Sequence, residues 1–410
     1  MNRKNKDVRV SYAKTVYGKK EVDAVLRVLK NPEKIVAGPN VRDFELKVAK
    51  LFGKPHGVMV NSGSSANLIA LEALSLPPGS EVITPSLTFS TTVAPILQKN
   101  LKPVFVDVEF GRYNIDADKI ERRITRKTKV LMIPSLLGNF PDLARLRRIA
   151  KKHKLWFIED SCDTIGGSFK EKPSGYYSDI STTSFYASHI VTAAGGGGMV
   201  CFHDAGLARK ARVMANWGRQ STLFGFYEKS EEIKKRFSSK LHGKPYDAKF
   251  VFSEIGYNLQ PLELMAAFGL EQLDRLNEFA KRRRQNFNEL LKFFGNYERF
   301  FILPQEQRNV KVNWLNFPLT IKKDAPFTRY EITKYLEERN IQTRPVMTGN
   351  ILRQPGFEKV LKNEKPSRYP VANYIMDTGF VIGCHQALAS EHTRHLKFAF
   401  QEFLDQYARA

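Results

Sequence analysis

The stretch DISTTSFYASHIVTAAGGGGMVCF, residues 179 to 202, determines how the rest of the chain is interpreted. Its β-branched and aromatic residues from Ile180 to Tyr186 predict a strand, and Met199 to Phe202 predict a second one. Between the two lie His189 and a run of four glycines, Gly195 to Gly198. Because glycine lets a backbone turn tightly and approach other groups closely, the pattern indicates a loop that closes around a ligand.

Composition limits the class of protein. At 410 residues with 42% hydrophobic content, the chain is long enough to bury one large core and one smaller core, so we expect two domains. It contains no run of 18 apolar residues, and the first ten residues, MNRKNKDVRV, lack the apolar stretch of a signal peptide. Three widely spaced cysteines fit a reducing compartment and provide no metal-ligand cluster. We therefore expect a cytoplasmic protein with no membrane span.

The net charge of +23 is high enough to attract polyanions. It is nevertheless spread over segments with helical periodicity, such as residues 144–154 and 280–292, where a solvated helix face explains it. The sequence has no zinc-finger, RNP or basic-zipper pattern. Specific nucleic-acid binding is therefore not expected.

Residues 57–160 alternate between apolar strand-like runs and helical segments, among them ADKIERRI at 117–124. Repeated units of this length predict a mainly parallel sheet with helices on both faces. The ligands of such sheets bind at the carboxyl ends of the strands. Asn61, Phe89 and Asp160 fall at or just after such ends.

The segment NSGSSANLIAL, residues 61–71, begins a predicted helix with small residues. Free backbone N–H groups and the helix dipole at such a start favour a phosphate. Ser64 and Ser65 could also simply cap the helix, and the residues alone favour that interpretation. They do not exclude either one.

The order Ser184, Phe185, Tyr186, two residues, His189 and then glycines resembles the cofactor segment of the DegT/DnrJ/EryC1/StrS sugar aminotransferases. These are fold type I enzymes that use pyridoxal phosphate (PLP). In that family a lysine that binds the cofactor covalently stands where this chain has His189. Histidine at this position marks a subgroup, the nucleotide-sugar 3-dehydrases, which work with pyridoxamine phosphate (PMP).

Further segments resemble the same family over about residues 8–405. They are LLGNFPDL (136–143), IEDSCDTIGG (158–167), GYNLQPLELMAAFGLEQLDRL (256–276) and TRPVMTGNILRQPGF (343–357). The resemblance implies an α/β fold of the fold type I aminotransferase class. It predicts a mainly parallel central sheet flanked by helices, within residues 1–275, and a smaller C-terminal α+β domain, residues 276–410. The N-terminal segment could join either domain, and a single long helix is expected over residues 262–292.

The resemblance also implies roles for individual residues. His189 would act as the base and Asp160 would pair with the pyridine nitrogen of the cofactor, while Asn258 would reach the partner's cofactor in a homodimer. The implied cofactor contacts are Gly63, Ser64, Ser65, Phe89, Asp160, Asp163, Ser184 and Asn258, and the implied substrate contacts are Arg219, Arg344, Asn350 and Arg353.

The implied reaction is C3-dehydration of a nucleotide-linked 4-keto-6-deoxyhexose. Related CDP-sugar enzymes carry closely spaced cysteines that bind an iron–sulfur cluster, whereas residues 202–383 of this chain contain no cysteine. Because thiolates are the usual ligands of such clusters, we expect no iron–sulfur cluster and no other metal. PMP would then be regenerated from an amino donor such as glutamate.

Some features depart from the family pattern. Ile190 replaces the second histidine of the subgroup, and no acidic residue precedes the last glycines. A degenerate cofactor-binding protein or a nucleic-acid-binding scaffold therefore remains an alternative. A conventional sugar aminotransferase is a further one, although residues 173–207 contain no lysine.

Overall fold

The structure, a computed structural model, describes residues 8–31, 35–225 and 232–407. The β-strands are β1 (His56–Val60), β2 (Glu81–Pro85), β3 (Lys102–Val106), β4 (Thr128–Pro134), β5 (Trp156–Asp160), β6 (Ser168–Phe169), β7 (Lys172–Pro173), β8 (Ile180–Ser184), β9 (Gly198–Phe202), β10 (Ser239–Leu241), β11 (Lys244–Tyr246), β12 (Phe301–Ile302), β13 (Val310–Lys311), β14 (Asn316–Ile321), β15 (Thr343–Pro345) and β16 (Gly379–Gly383).

The helices surround these strands, and within the described ranges none is long and apolar enough to cross a bilayer. They are α1 (Lys19–Leu29), α2 (Pro39–Leu51), α3 (Gly63–Ala73), α4 (Ser90–Gln98), α5 (Leu143–Lys152), α6 (Ala205–Ala215), α7 (Ile233–Arg236), α8 (Glu263–Asp274), α9 (Leu276–Phe294), α10 (Arg329–Glu337), α11 (Pro355–Glu358), α12 (Pro370–Thr378) and α13 (Ser390–Asp405).

A seven-stranded sheet with the order β1-β9-β8-β5-β4-β2-β3 forms the centre of the molecule. Six of its strands run parallel, and β9 runs antiparallel to both of its neighbours, β1 and β8. Strands β2, β8 and β9 are buried along their whole length, as expected for a sheet covered on both faces. The predicted α/β class with a mainly parallel sheet is confirmed.

A four-stranded antiparallel sheet, β12-β14-β16-β15, lies in the C-terminal part with α9, α10, α12 and α13. Its core is aromatic, since Phe287 of α9 stacks on Trp314 with ring centroids 4.8 Å apart. One apolar cluster includes both Ile83 of β2 and Phe400 of α13, so the apolar packing continues between the two sheets. The boundary at residues 275 and 276 stays a prediction.

Two helix predictions are wrong. The helix expected over residues 262–292 is two helices that meet at Arg275, whose guanidinium donates to Glu21 Oε1 at 3.3 Å. The segment 117–124 forms two short 3₁₀ turns instead of a helix. At its start Asp116 accepts a hydrogen bond from the backbone N–H of Asp118, a local contact that competes with α-helix formation.

The glycine tract brings β9 against the start of α3. Gly197 has a φ of 101°, which only glycine adopts without strain. A Cβ on Gly198 would lie 2.2 Å from the backbone oxygen of Ser62, the residue before α3. The tract therefore fixes the loop of His189 close to the N-terminus of α3.

We predict that Gly198→Ala lowers the free energy of unfolding by about 1–3 kcal/mol, because the added methyl group must displace backbone atoms. The matched control is Gly295→Ala at the end of α9, where the backbone is helical and no atom lies within 4 Å of the new Cβ. The control should be neutral or slightly stabilising. Urea unfolding measures both, and equal midpoints would contradict the steric account.

Candidate active site

A cavity of about 480 Å³ opens where strands β4, β5 and β8 end. Its wall includes Pro134, Asp160 and Ser184, which are the last residues of those three strands. The start of α3, the loop that carries His189, and β15 of the second sheet complete the wall. The carboxyl ends of the parallel strands thus face the cavity, as the sequence pattern predicted.

The start of α3 combines capping and an open polar end. Ser62 Oγ accepts the backbone N–H of Ser65 at 3.1 Å, and Ser65 Oγ donates to Asn61 Oδ1 at 2.7 Å. Ser65 is therefore part of the helix cap and does not line the cavity. Gly63 and Ser64 do line it. Capping thus accounts for Ser65, and contact of Gly63 and Ser64 with a phosphate stays a prediction.

Asp160 is buried and held from two sides. Asn67 Nδ2 and Thr92 Oγ1 donate to its Oδ2 at 2.9 Å and 2.8 Å. The backbone N–H of Cys162 donates to its Oδ1 at 3.3 Å. Thr182 Oγ1 donates to Asn67 Oδ1 at 2.6 Å, which fixes the amide so that its N–H group points to the carboxylate. The carboxylate therefore has a defined orientation in the cavity wall.

The side chain of His189 is 14% exposed and lines the cavity. Its Nδ1 lies 3.5 Å from Asp163 Oδ1 and has no hydrogen-bond partner among the described residues. The loop is fixed by backbone contacts, since Thr192 Oγ1 donates to the oxygen of Phe185 and Thr15 Oγ1 to that of Ala187, both at 2.8 Å. The backbone of the loop is thus held in place, while among the described residues no hydrogen bond to Nδ1 fixes the tautomer of the imidazole.

Burial dominates the electrostatics of the pair His189 and Asp163. Burial, assisted by the positive charge of Arg283, lowers the pKa of His189 to about 4. Burial and the charge of Asp160 raise the pKa of Asp163 to about 7. At neutral pH the imidazole is therefore neutral and able to accept a proton, while Asp163 titrates near neutrality.

The residues of this cavity fit a phosphorylated pyridine. The start of α3 suits a phosphate, and Asp160 offers a carboxylate of the kind that can pair with a ring nitrogen. A Cβ on Gly63 would lie 2.6 Å from Ser184 Cβ, so only glycine leaves this corner open. Phe89 provides an exposed aromatic face in the wall. Within the described ranges no lysine lines the cavity, and no group of side chains could hold a metal ion.

The predicted substrate residues are only partly brought together. Arg344 lines the cavity and its guanidinium lies 4.6 Å from the ring centroid of Tyr12. The prediction that Asn350 contacts the substrate is not supported, because Asn350 is buried away from the cavity. Its Oδ1 accepts the N–H of Leu352, and its Nδ2 donates to Asn373. Arg353 instead pairs with Asp377 at 2.8 Å on the surface.

Arg219 and Asn258 lie on another face. Arg219 is stacked on Trp217 at 4.4 Å and lines a separate groove of about 760 Å³ that does not include His189. Asn258 is exposed, and its backbone pairs with that of Asn216. Neither side chain therefore lines the cavity of its own chain, and contact with a partner's cavity stays a prediction.

Sequence reasoning missed several residues around the cavity. Asn67 lies one helical turn after Gly63, and Thr92 follows Phe89 closely, so their positions in the quoted motifs could have identified them. Tyr12, Arg283 and Asn316 come from segments remote in sequence and carried no recognisable pattern. Only the fold brings them near His189 or into the cavity wall.

Comparisons with known proteins agree with this geometry. The sequence profile of the DegT/DnrJ/EryC1/StrS aminotransferase family matches residues 16–400. The chain is 39% identical over 370 residues to the lipopolysaccharide biosynthesis protein RfbH of Salmonella typhimurium, covering 88% of this chain and 84% of that protein. It is 36% identical over 387 residues to the dTDP-4-dehydro-2,6-dideoxy-D-glucose 3-dehydratase of Saccharopolyspora spinosa, covering 90% and 81%.

Among solved structures, a GDP-4-keto-6-deoxymannose-3-dehydratase with a trapped PLP-glutamate geminal diamine superposes with a TM-score of 0.85. The sequences are 28% identical, and the match covers 95% of this chain and 99% of that one. The predicted family, fold class and cofactor are confirmed. The chain therefore belongs to the DegT/DnrJ/EryC1/StrS aminotransferase family, with the fold type I architecture and a site for pyridoxal phosphate.

Proposed function

We propose that this protein is a PLP- and PMP-dependent dehydratase that removes the C3 hydroxyl of a nucleotide-linked 4-keto-6-deoxyhexose. The observation that carries the proposal is the presence of a histidine, His189, in the cavity wall. By the family resemblance His189 stands where the family has its lysine, and the described cavity wall contains no lysine. An amino group that could bind the cofactor covalently is therefore lacking from this wall.

The cofactor, when bound, provides an electron sink conjugated to the substrate carbon skeleton. Gly63, Ser64 and Ser184 would hold its phosphate at the start of α3. Asp160 would keep the ring nitrogen protonated, and Phe89 would cover one face of the ring. Asn67 and Thr92, which already donate to Asp160, keep that carboxylate oriented.

His189 would move the proton at the C4′ carbon of the cofactor. A neutral imidazole suits this role at neutral pH, and burial keeps the pKa of His189 low enough for it to remain neutral. An imidazole cannot replace lysine in covalent binding of an aldehyde. The exchange of lysine for histidine therefore retains proton transfer and gives up attachment of the cofactor, which favours elimination over transfer of an amino group to the sugar.

Arg344 would contact the anionic part of the substrate. It is the only arginine or lysine among the residues that line the described cavity, and the ring of Tyr12 supports its guanidinium. A nucleotide diphosphate provides the charge that such a group recognises. Relatives of this chain are named for dTDP- and GDP-linked 4-keto sugars, which supports the substrate class.

The cysteines favour an enzyme that works without an iron–sulfur cluster. Cys162 borders the cavity, while Cys201 and Cys384 are each fully buried. Three thiols at separate places do not provide the usual four thiolates. We infer that PMP is regenerated from an amino acid such as glutamate, and the solved relative with glutamate joined to PLP supports this donor.

We also infer a homodimer. Trp217, Phe250, Phe252 and Ile255 form an exposed apolar group beside Arg219 and Asn258, and Ile255 is 94% exposed. Apolar groups of this size on a surface mark protein–protein contacts. If a second copy covers this face, Asn258 and Arg219 of one subunit lie near the cavity of the other subunit, as the family resemblance implies.

Replacement of the base tests the chemical role of His189. We predict that His189→Asn lowers the rate of 3-deoxy product formation about 10²–10⁴-fold, because general base catalysis contributes that much. PLP binding, followed by absorbance, should be retained. His203→Asn, at an exposed position, is the control and should keep full activity. An active His189→Asn variant would contradict the assignment.

The substrate assay uses a panel of CDP-, GDP-, dTDP- and UDP-linked 4-keto-6-deoxyhexoses with PLP and glutamate. We expect one of them to lose its C3 hydroxyl and glutamate to be converted into 2-oxoglutarate, as measured by mass spectrometry. An amino sugar as the product would identify an aminotransferase instead. Salt-dependent DNA binding with no turnover of any sugar would favour a scaffold.

Disruption of the apolar face tests the dimer. We predict that Ile255→Asp shifts the molecular mass in light scattering from dimer to monomer and weakens PLP binding, because a buried unpaired carboxylate opposes association. Tyr330→Asp, at a 72% exposed position of the second domain, is the control and should leave the mass unchanged. A dimer that tolerates Ile255→Asp would place the interface elsewhere.

A further inference from the structure

Arg283 on α9 is a buried cation outside the cavity. It is 1% exposed, and its hydrogen bonds go to uncharged acceptors, with Nε on Gln386 Oε1 at 2.7 Å and Nη1 on the backbone oxygens of Trp314 and Leu315, both at 3.0 Å. Among the described residues no carboxylate forms an ion pair with it. Because a buried charge without a paired anion is costly, such an arginine calls for a functional explanation.

The hydrogen bonds of Arg283 lead to the cavity. Gln386, which accepts from Arg283, donates through Nε2 to the backbone oxygen of Ile190 at 3.4 Å. Ile190 directly follows His189 in the chain. The other acceptor, Leu315, is itself part of the cavity wall. Arg283 therefore ties the loop of His189 to the second domain through one glutamine and one backbone carbonyl.

The charge of Arg283 acts on the same site. Asp163 is the carboxylate whose charge acts on the guanidinium, and its Oδ1 lies 3.5 Å from His189 Nδ1. Three groups from different parts of the chain thus influence one another electrostatically: the guanidinium of Arg283, the carboxyl of Asp163 and the imidazole of His189. When it is ionised, Asp163 offsets part of the buried positive charge, and its Oδ1 lies beside the ring nitrogen of His189 that lacks a hydrogen bond.

We propose that Arg283 is a positioning residue for His189, which with Gln386 fixes the loop at Ile190 and brings a fixed positive charge to the pair of His189 and Asp163. The proposal deepens the function proposed above, because it rests on His189 as the base. It assigns to α9, which connects the two domains, a direct influence on the base.

The electrostatic effects of Arg283 agree in direction with this role. Its positive charge lowers the pKa of both His189 and Asp163. The other titratable or charged groups around the imidazole are Asp160, Cys162, Tyr186, Tyr12 and Arg344. Loss of the guanidinium charge would raise both pKa values, so Asp163 would be protonated at neutral pH and His189 would become protonated at a higher pH than in the wild type.

The test measures the ring titration of His189 in the full-length protein, before and after PLP is added. Histidine NMR signals are followed against pH, and the signal missing in His189→Asn identifies the residue. We expect Arg283→Met to raise the titration midpoint of His189 by about one pH unit or more. Arg284→Met on the same helix, whose Nη1 donates to Asn313, removes an equal charge and should leave the midpoint unchanged. Equal midpoints in the two variants would overturn the proposed effect of the charge.

Two milder variants separate charge from position and remain informative if Arg283→Met does not fold. Arg283→Lys keeps the charge but lacks the planar fork, and Gln386→Leu breaks the link to Ile190. Both should keep the low midpoint of His189 and lower kcat about 10-fold with KM changed less than about 3-fold. Wild-type kcat in both variants would refute the positioning role.

The outcome also distinguishes this inference from the proposed function. If no nucleotide sugar is dehydrated but the midpoint shift appears in Arg283→Met alone, the function is wrong and the coupling of Arg283 to His189 stands. If a sugar is dehydrated and Arg283→Met, Arg283→Lys and Gln386→Leu all behave as the wild type, the function stands and the role of Arg283 is refuted.

Discussion

The close approach of β9 to the start of α3 is the constraint on which the site depends. Gly198 leaves no room for a side chain beside Ser62, so the antiparallel strand and the polar start of the helix are held together. The same glycine tract connects the loop of His189 to β9. The backbone contact between the glycine tract and the residues before α3 thus brings a helix start that suits a phosphate close to the loop whose imidazole suits proton transfer.

A buried site of this kind controls charge through solvation. Desolvation lowers the pKa of His189 and raises that of Asp163, while three hydrogen-bond donors fix the orientation of the Asp160 carboxylate. Carboxylates a few residues apart in sequence therefore serve different purposes. Arg283 adds a positive charge from α9, and its hydrogen bonds to the backbone of Trp314 and Leu315 hold that charge in place.

Much of the fold and part of the site could be predicted from the sequence. The alternation of strands and helices indicated the parallel sheet, and the position of Asp160 at the end of a predicted strand indicated its place in the site. Both predictions depend on the periodicity of apolar residues along the chain, which is a local property of the sequence. The break at Arg275 and the 3₁₀ turns near Asp116 depend on individual polar contacts that periodicity does not encode. Asn350 resembled a substrate residue in its motif, yet its amide is used within its own domain. Tyr12 and Arg283 contribute through tertiary packing, which spacing along the chain does not reveal.

The central claim is that histidine replaces the covalent attachment of the cofactor while keeping the proton transfer. The most direct measurement is the absorption spectrum of the protein with PLP, before and after glutamate, followed by borohydride reduction and intact mass. The account predicts that glutamate converts the PLP band into that of PMP and that reduction adds no cofactor mass to the chain. A cofactor fixed covalently to a lysine after reduction would contradict it and would identify an aminotransferase.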